Sequence, residues 1–225
     1  MRHFINPRSL FKIQGVLLLL IVAITFIFLL QILLGEGFYE KYMAVPAEVM
    51  TEWNHLRVGN FQDISWIEIF TLFTPALLHG GPEHLIGNMI FLWIFAALAV
   101  ELLGSRVMLF TFFFTAITGN IVHIALNPES LNPLLGASGA VMGFEGLYLA
   151  IAVRWHLPDP HIWPMSRAIA PSRLAMVGII GLIYDFMNYT SGVTGIAYGA
   201  HFGGFIGGLI IGSFFVKMPR VALPR

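Results

Sequence analysis

The sequence predicts an all-α, polytopic membrane protein with six transmembrane helices and a long, partly structured outer loop between the first two. Of its 225 residues, 57% are hydrophobic and only 11% are charged, whereas a soluble domain has roughly 25% charged residues. One soluble core of this length could not bury so much apolar side chain. The apolar residues also fall in six runs. Most Lys and Arg residues lie in the segments between or beside these runs that would face the same side of a membrane.

The apolar runs are candidates for helices that cross the bilayer, since roughly 20 residues at about 1.5 Å per residue span about 30 Å of hydrocarbon. The fourth and fifth runs are the shortest of the six. The predicted helices are Gly15–Leu34, Leu85–Leu103, Val107–Leu126, Ser138–Val153, Leu174–Tyr189 and Ile196–Val216. We expect the first to be a retained helix and not a secretory signal, because its apolar run is too long and no small-residue cleavage site follows it. The chain then divides into a tail (1–14), a membrane domain (15–216, with the outer loop at about 35–83) and a second tail (217–225).

The distribution of positive charge predicts the orientation of these helices, because cytoplasmic segments carry the excess of Lys and Arg. Ten of the twelve lie on one side: Arg2, Arg8, Lys12, Arg106, Arg154, Arg167, Arg173, Lys217, Arg220 and Arg225. The outer loop holds the other two, Lys41 and Arg57, together with the acidic residues Glu36, Glu40, Glu48, Glu52, Asp63 and Glu68. We therefore expect a multi-pass protein of a bacterial plasma membrane with both termini in the cytoplasm.

Charge balance and cysteine content narrow the classes of function. Twelve Lys and Arg residues balance twelve Asp and Glu residues, so no basic surface favours a nucleic-acid partner. The chain has no cysteine, which excludes disulfides, thiolate metal sites and a cysteine nucleophile.

The outer loop is too apolar for a disordered linker. It contains Trp53, Trp66, Phe70 and Phe73, and aromatic side chains favour the headgroup boundary. The stretch Ile64 to Leu77 is long enough for a short helix lying in that interface.

Four polar residues in three different predicted helices fall at one depth, close to the outer face. The second helix enters from outside with His84 at its start and Asn88 one turn deeper, and the fourth enters with Ser138. The sixth helix places His201 about five residues in, roughly 7 Å along the axis. Polar groups in a bilayer cost a few kcal/mol and therefore usually face a protein interior or a wet cavity.

These residue types suit acyl transfer to serine. A serine hydroxyl is a weak nucleophile unless a base takes its proton, and a histidine can do so near neutral pH. His84 and Asn88 stand at i and i+4 on one helix face and could donate hydrogen bonds to an oxyanion, beside the free N–H groups at the helix start near Ser138. Taken singly, Ser138 could belong to a packing segment and His201 could be an interior histidine; their shared depth favours the chemistry.

Glycine patterns predict close packing of the fourth and sixth helices. The sixth carries two series at spacing four, Gly199, Gly203 and Gly207 beside Gly204, Gly208 and Gly212, and the fourth carries Gly139, Gly143 and Gly146. Such small-residue faces let helix backbones approach closely in a membrane. Ser138 and His201 would then meet across that interface.

The motifs resemble those of the rhomboid intramembrane serine proteases. The family pattern His-x-x-x-Asn matches His84 to Asn88, Gly-x-Ser-Gly matches Gly136 to Gly139, and Ala-His-x-x-Gly-x-x-x-Gly matches Ala200 to Gly208. The resemblance covers roughly Thr74 to Gly212. Two positions depart from it: Met142 replaces an aromatic residue that packs on the catalytic imidazole, and Phe70-Thr71 replaces a Trp-Arg pair in the outer loop.

The resemblance implies an intramembrane serine endopeptidase with a rhomboid-like six-helix bundle. Ser138 would be the nucleophile, His201 the general base, and His84, Asn88 and the Ser138 backbone the oxyanion hole, in a Ser-His dyad that no acid completes. The implied substrates are single-span or other transmembrane proteins, cleaved near the outer membrane boundary. No cofactor and no metal are expected.

Two further acidic residues have structural interpretations. Glu145 lies seven residues after Ser138 on the same helical stripe, and we expect a structural hydrogen bond inside the bundle. Asp185, near the outer end of the fifth helix, is also expected to be structural. Tyr184-Asp185 resembles half of the intramembrane aspartyl protease signature, but its second half, Gly-x-Gly-Asp, is missing.

Other functions stay open as alternatives. The main one is a catalytically inactive rhomboid-like protein that binds transmembrane clients, although such a protein has no use for a complete set of serine, histidines and asparagine. A metalloprotease is disfavoured because His79, Glu83 and His84 do not share a helix face. A transporter would need repeated or discontinuous helices around a midplane site, which the sequence does not contain.

Overall fold

The computed structural model describes residues 7–157, 169–220 and 223–224, and its architecture is helical. The α-helices of this part are α1 (Pro7–Leu34), α2 (Glu36–Tyr39), α3 (Pro46–Arg57), α4 (Trp66–Phe70), α5 (Pro82–Leu103), α6 (Ser105–Leu126), α7 (Ser138–Arg154), α8 (Pro171–Thr190) and α9 (Tyr198–Ile210). A π-helical turn, Ile211–Phe215, extends α9, and short 3-10 turns cover Glu40–Tyr42, Phe61–Asp63 and Thr74–Leu77. Strands β1 (Trp155–His156) and β2 (Leu223–Pro224) pair antiparallel. Arg2, Arg167 and Arg225 of the charge pattern lie outside the described residues.

Long helices stand at all six predicted spans, with differences at their starts. The described part of the first helix already includes Pro7, eight residues before the predicted start, while α5 and α8 begin at Pro82 and Pro171. Proline at the first position of a helix removes an N–H that would have no partner there. Within the described ranges, four helices are long and apolar enough to cross a membrane, namely 11–34, 82–103, 105–126 and 198–215. The other two are α7, which has 17 residues, and α8, which carries Arg173, Asp185 and Asn188.

Helix α7 lies at the centre of the bundle. It packs against α5, α6, α8 and α9, and every residue from Gly139 to Tyr148 is buried. The hydroxyl of Tyr148 donates a hydrogen bond to the carbonyl oxygen of Phe95 in α5. Because α7 is surrounded by other helices, it does not need large apolar side chains that face lipid. Its small residues can instead let neighbouring helices pack closely.

The outward-facing side chains are apolar. On α1 they include Leu19, Val22 and Leu33, and on α8 Ile180 and Phe186, all of which are more than half exposed. Contiguous apolar surface on this scale is not found on soluble monomers, and it matches a protein whose solvent is lipid. The protein is an integral, multi-pass membrane protein.

The outer loop folds into short helices instead of the one helix predicted over Ile64 to Leu77. Helix α4 ends at Phe70, and a 3-10 turn begins at Thr74. Pro75 explains the break, because proline cannot donate a helical hydrogen bond and disfavours helical geometry at the residue before it. Helix α3 packs on α4, and the buried carboxylate of Glu52 accepts a hydrogen bond of 2.8 Å from the backbone N–H of Ser65 at the start of α4.

The folded loop holds the segment that leads into α7. The N–H of Leu134 donates to the carbonyl of Ala44 at 2.8 Å, and the N–H of Gly136 donates to the carbonyl of Pro75 at 2.8 Å. These bonds attach the chain just before Ser138 to two points of the outer loop. The start of α7 is therefore fixed from outside the bundle as well as from within it.

Candidate active site

Ser138 and His201 lie within hydrogen-bond distance of each other. Ser138 is the first residue of α7, and His201 is in the first turn of α9. The hydroxyl Oγ of Ser138 is 2.9 Å from Nε2 of His201, and His201 is partly buried. The predicted serine and histidine are thus brought together from positions 63 residues apart in the chain.

The glycine faces of α7 and α9 bring this pair together. A Cβ atom at Gly204 would overlap the carbonyl oxygen of Gly139, and one at Gly208 would overlap that of Gly143. The two backbones are therefore in direct contact over at least one helical turn, as the spacing of the glycines predicts. Because α7 and α9 pack so closely, the side chains of Ser138 and His201 can reach each other.

His84 and Asn88 lie beside the segment that leads to Ser138. Gly136 has φ = +124°, a backbone conformation that favours glycine. A Cβ atom there would stand 2.8 Å from Cε1 and Nε2 of His84 and 3.9 Å from Nδ2 of Asn88. The Asn88 amide also donates to the backbone carbonyl of His84 at 3.0 Å. All four predicted site residues therefore gather around the start of α7.

Asp185, which the sequence led us to expect as a structural residue, lies directly against His201. Its Oδ2 atom in α8 lies 2.6 Å from Nδ1 of His201, so each ring nitrogen of His201 has a partner. The expectation that no acid accompanies the serine and histidine does not hold for this geometry. A signal was present in the sequence, since Asp185 is near the outer end of its helix, but the rotation of α8 about its axis could not be deduced from it.

Two other buried ionisable residues lie close to this cluster. Glu145 packs against α8 at Gly178, and its Oε2 atom has no hydrogen-bond partner among the described residues. The His79 ring stacks edge-on against His84 with centroids 5.2 Å apart. Burial, and secondarily the neighbouring His84, lowers the pKa of His79 to about 4, so this side chain is neutral at pH 7.

A cleft of about 680 Å³, lined by both polar and apolar residues, opens beside the site. Its wall runs from Gly80 and His84 to Tyr198 and Gly199, two residues before His201. Residues of the loops that precede α7 and α9 form much of the cleft lining. The lining reaches Leu135, three residues before Ser138 at the start of α7.

The described residues offer little for a metal ion. No group of three or more His, Cys, Asp or Glu side chains in the ranges 7–157 and 169–220 is arranged to hold one. The arrangement instead contains a hydroxyl, an imidazole between two partners and a helix start with free N–H groups. These are the components of nucleophilic acyl transfer.

Comparison with known proteins gives a consistent assignment. The model of the Rhomboid domain matches residues 67–218. The chain is 32% identical to YdcA of Bacillus subtilis over 127 residues, which are 56% of this chain and 61% of YdcA. It is 30% identical to the rhomboid protease GluP of Bacillus subtilis over 160 residues, 70% of this chain and 27% of GluP.

A relative with a different name also matches. Inactive rhomboid protein 1 of Drosophila melanogaster is 26% identical over 129 residues, 56% of this chain and 9% of that protein. The chain spans less than two thirds of the length of each of these three relatives. The matched domain nevertheless covers well over half of the chain and contains every residue of the site described above. The chain therefore belongs to the rhomboid family.

Proposed function

We propose that this protein is an intramembrane serine endopeptidase that cleaves transmembrane proteins near the outer membrane boundary through Ser138 and His201. The observation that carries the proposal is the 2.9 Å contact between Ser138 Oγ and His201 Nε2 at the start of α7. Membership of the rhomboid family, which includes the protease GluP, supports it.

The reaction begins when a substrate carbonyl carbon lies next to Ser138. His201 Nε2 takes the hydroxyl proton as Oγ attacks, and a tetrahedral intermediate forms with the negative charge on the former carbonyl oxygen. The free N–H groups at the start of α7, with His84 and Asn88, stabilise that oxygen. His201 then gives the proton to the leaving amine, and water hydrolyses the acyl-enzyme with the same histidine as base.

The topology proposed for this function is a six-helix bundle with both termini in the cytoplasm. In it, α7 and α8 cross the membrane as well as the four longer apolar helices. The arrangement puts the starts of α7 and α9 at the outer face of a bacterial plasma membrane. Substrates would be single-span or other transmembrane proteins whose helix end reaches the cleft.

Cleavage of a model single-span substrate in proteoliposomes tests the proposal. We expect wild type to cleave, Ser138→Ala and His201→Ala to lose detectable cleavage, and a metal chelator to have no effect. Asn88→Ala should keep cleavage but lower kcat by about 10²-fold, the cost of one oxyanion donor. Matched controls are the exposed Ser213→Ala and His156→Ala, which should cleave like wild type.

Two outcomes would contradict the proposal. Cleavage that survives Ser138→Ala would place the chemistry elsewhere. If wild type binds transmembrane substrates but neither cleaves them nor reacts with a fluorophosphonate serine probe, the inactive client-binding function replaces it.

A further inference from the structure

Asp185 is placed where it can control the orientation of His201. Its side chain is buried, with 9% of the residue exposed, and Oδ2 lies 2.6 Å from Nδ1 of His201. The other ring nitrogen faces Ser138 Oγ at 2.9 Å. Three consecutive long helices, α7, α8 and α9, thus each supply one member of a continuous hydrogen-bonded series.

Contact with an ionised carboxylate favours one tautomer of the neutral imidazole. A carboxylate only accepts hydrogen bonds, so Nδ1 must be the protonated nitrogen when it contacts Asp185. The lone pair of Nε2 then points at Ser138, which is the form that can accept the hydroxyl proton. When His201 becomes positively charged during the reaction, the carboxylate beside it stabilises that charge.

Packing against α7 holds α8 in the register that this contact requires. Gly178 lies two helical turns before Asp185, on the same face of α8. A Cβ atom at Gly178 would stand 2.5 Å from Cβ and from Oε2 of Glu145 in α7, so glycine permits the close approach. The height and rotation of Asp185 are therefore set by the packing of Gly178 against the Glu145 side chain, two turns earlier in α8.

We propose that Asp185 is a positioning residue that completes a Ser138-His201-Asp185 arrangement, holding His201 in the tautomer and orientation that activate Ser138. The inference rests on the proposed peptidase function. The competing interpretation is that Asp185 only ties α8 to α9, with no effect on the reaction itself.

Kinetics of Asp185→Asn separate the two interpretations. An amide can present its NH₂ group to Nδ1, which leaves the proton on Nε2 facing Ser138. We expect kcat to fall by up to about 10⁴-fold, while KM changes little. Asp185→Glu should recover part of the loss because it restores a carboxylate. The matched control is Asp63→Asn in the outer loop, at an exposed position, which should leave both constants unchanged.

A spectroscopic measurement on wild type tests the tautomer on which the positioning role depends, and the kinetics then test its effect on the reaction. The ¹⁵N spectrum of protein labelled with [¹⁵N]histidine, with His201 assigned by its absence in His201→Gln, should show His201 protonated at Nδ1. Asp185→Asn should shift it toward protonation at Nε2. This measurement keeps its meaning even if the Asn variant folds poorly, because the wild-type tautomer is itself predicted.

The outcomes are distinguishable from failure of the proposed function. Absence of cleavage by wild type would defeat the peptidase proposal. Active wild type with an unchanged kcat in Asp185→Asn, or with His201 protonated at Nε2, would overturn the role of Asp185 alone. A fall in the thermal unfolding midpoint with kcat per folded molecule unchanged would also overturn it, because Asp185 would then serve only as a tie between helices.

Discussion

At the scale of one residue, Gly136 shows why the chain segment just before Ser138 requires a glycine. Its positive φ turns the chain into α7, and its missing Cβ leaves room for the His84 ring. Any other residue at this position would strain the backbone and push against His84 at once. The glycine of the Gly-x-Ser-Gly motif therefore serves both the turn and the wall of the site.

Burial of His79 predicts a sensitivity of stability to acid. Because its pKa is lowered from 6.5 to about 4 in the folded protein, the unfolded chain binds a proton between these pH values and the folded protein does not. Stability is therefore lost as pH falls from about 6.5 to 4, by about 2 kcal/mol between pH 7 and pH 5. Both ring nitrogens of His79 lack partners among the described residues, so His79→Phe should remove this loss at little cost.

Thermal unfolding in detergent at pH 7 and pH 5 measures the effect. The unfolding midpoint of His79→Phe should fall less on acidification than that of wild type. The same substitution at the exposed His156 is the control and should leave the wild-type fall unchanged. Equal falls in wild type and His79→Phe would show that His79 is not the group responsible.

At the scale of the element, the contact of α7 with α9 determines whether the site forms. Gly208→Ala would place a methyl group on the carbonyl oxygen of Gly143, and neither helix backbone can move without shifting its side chains. We expect kcat to fall by about 10²-fold or more, because a displacement of about 1 Å between reacting groups has that effect. Overpacking should also cost roughly 1–3 kcal/mol of stability.

Gly181→Ala in α8 is the matched control. A Cβ atom at Gly181 would meet no atom within 4 Å, and alanine is a better helix former than glycine. This variant should keep wild-type kcat, with an equal or higher unfolding midpoint. If both glycine variants lost activity alike, general helix flexibility and not the α7–α9 contact would be the cause.

At the scale of the whole molecule, the absence of cysteine makes the topology directly testable. Single cysteines would be introduced at Asn54 in the outer loop, His156 after α7 and Lys217 after α9. In intact cells a membrane-impermeant maleimide should label only Asn54→Cys, and all three should react after permeabilisation.

Labelling of His156→Cys, just after α7, decides whether α7 and α8 cross the membrane. If α7 and α8 did not cross the membrane, His156→Cys would lie on the outer side and would be labelled in intact cells. Labelling of Lys217→Cys in intact cells would instead contradict the membrane orientation predicted from the distribution of Lys and Arg. The protein's activity on a model substrate should be confirmed for each variant before labelling.

Sequence reasoning predicted the six long helices because their signal is local. An apolar run of about 20 residues identifies a helix wherever its neighbours lie, and glycines at spacing four identify its closely packed face. Boundaries were less well predicted, as at Pro82, where α5 begins, and at the break near Pro75. In those places proline decided the geometry of the backbone against the hydropathy pattern.

The sequence by itself predicted that Ser138, His84, Asn88 and His201 lie at one depth, since depth is counted along helices that are expected to enter from the same side. Only the tertiary structure decided which side chains point at one another. Asp185 shares that depth too, yet its contact with His201 depends on the rotation of α8, which is set where Gly178 meets Glu145. Rotation of one helix against another is a property of their packing, and no pattern within a single helix encodes it.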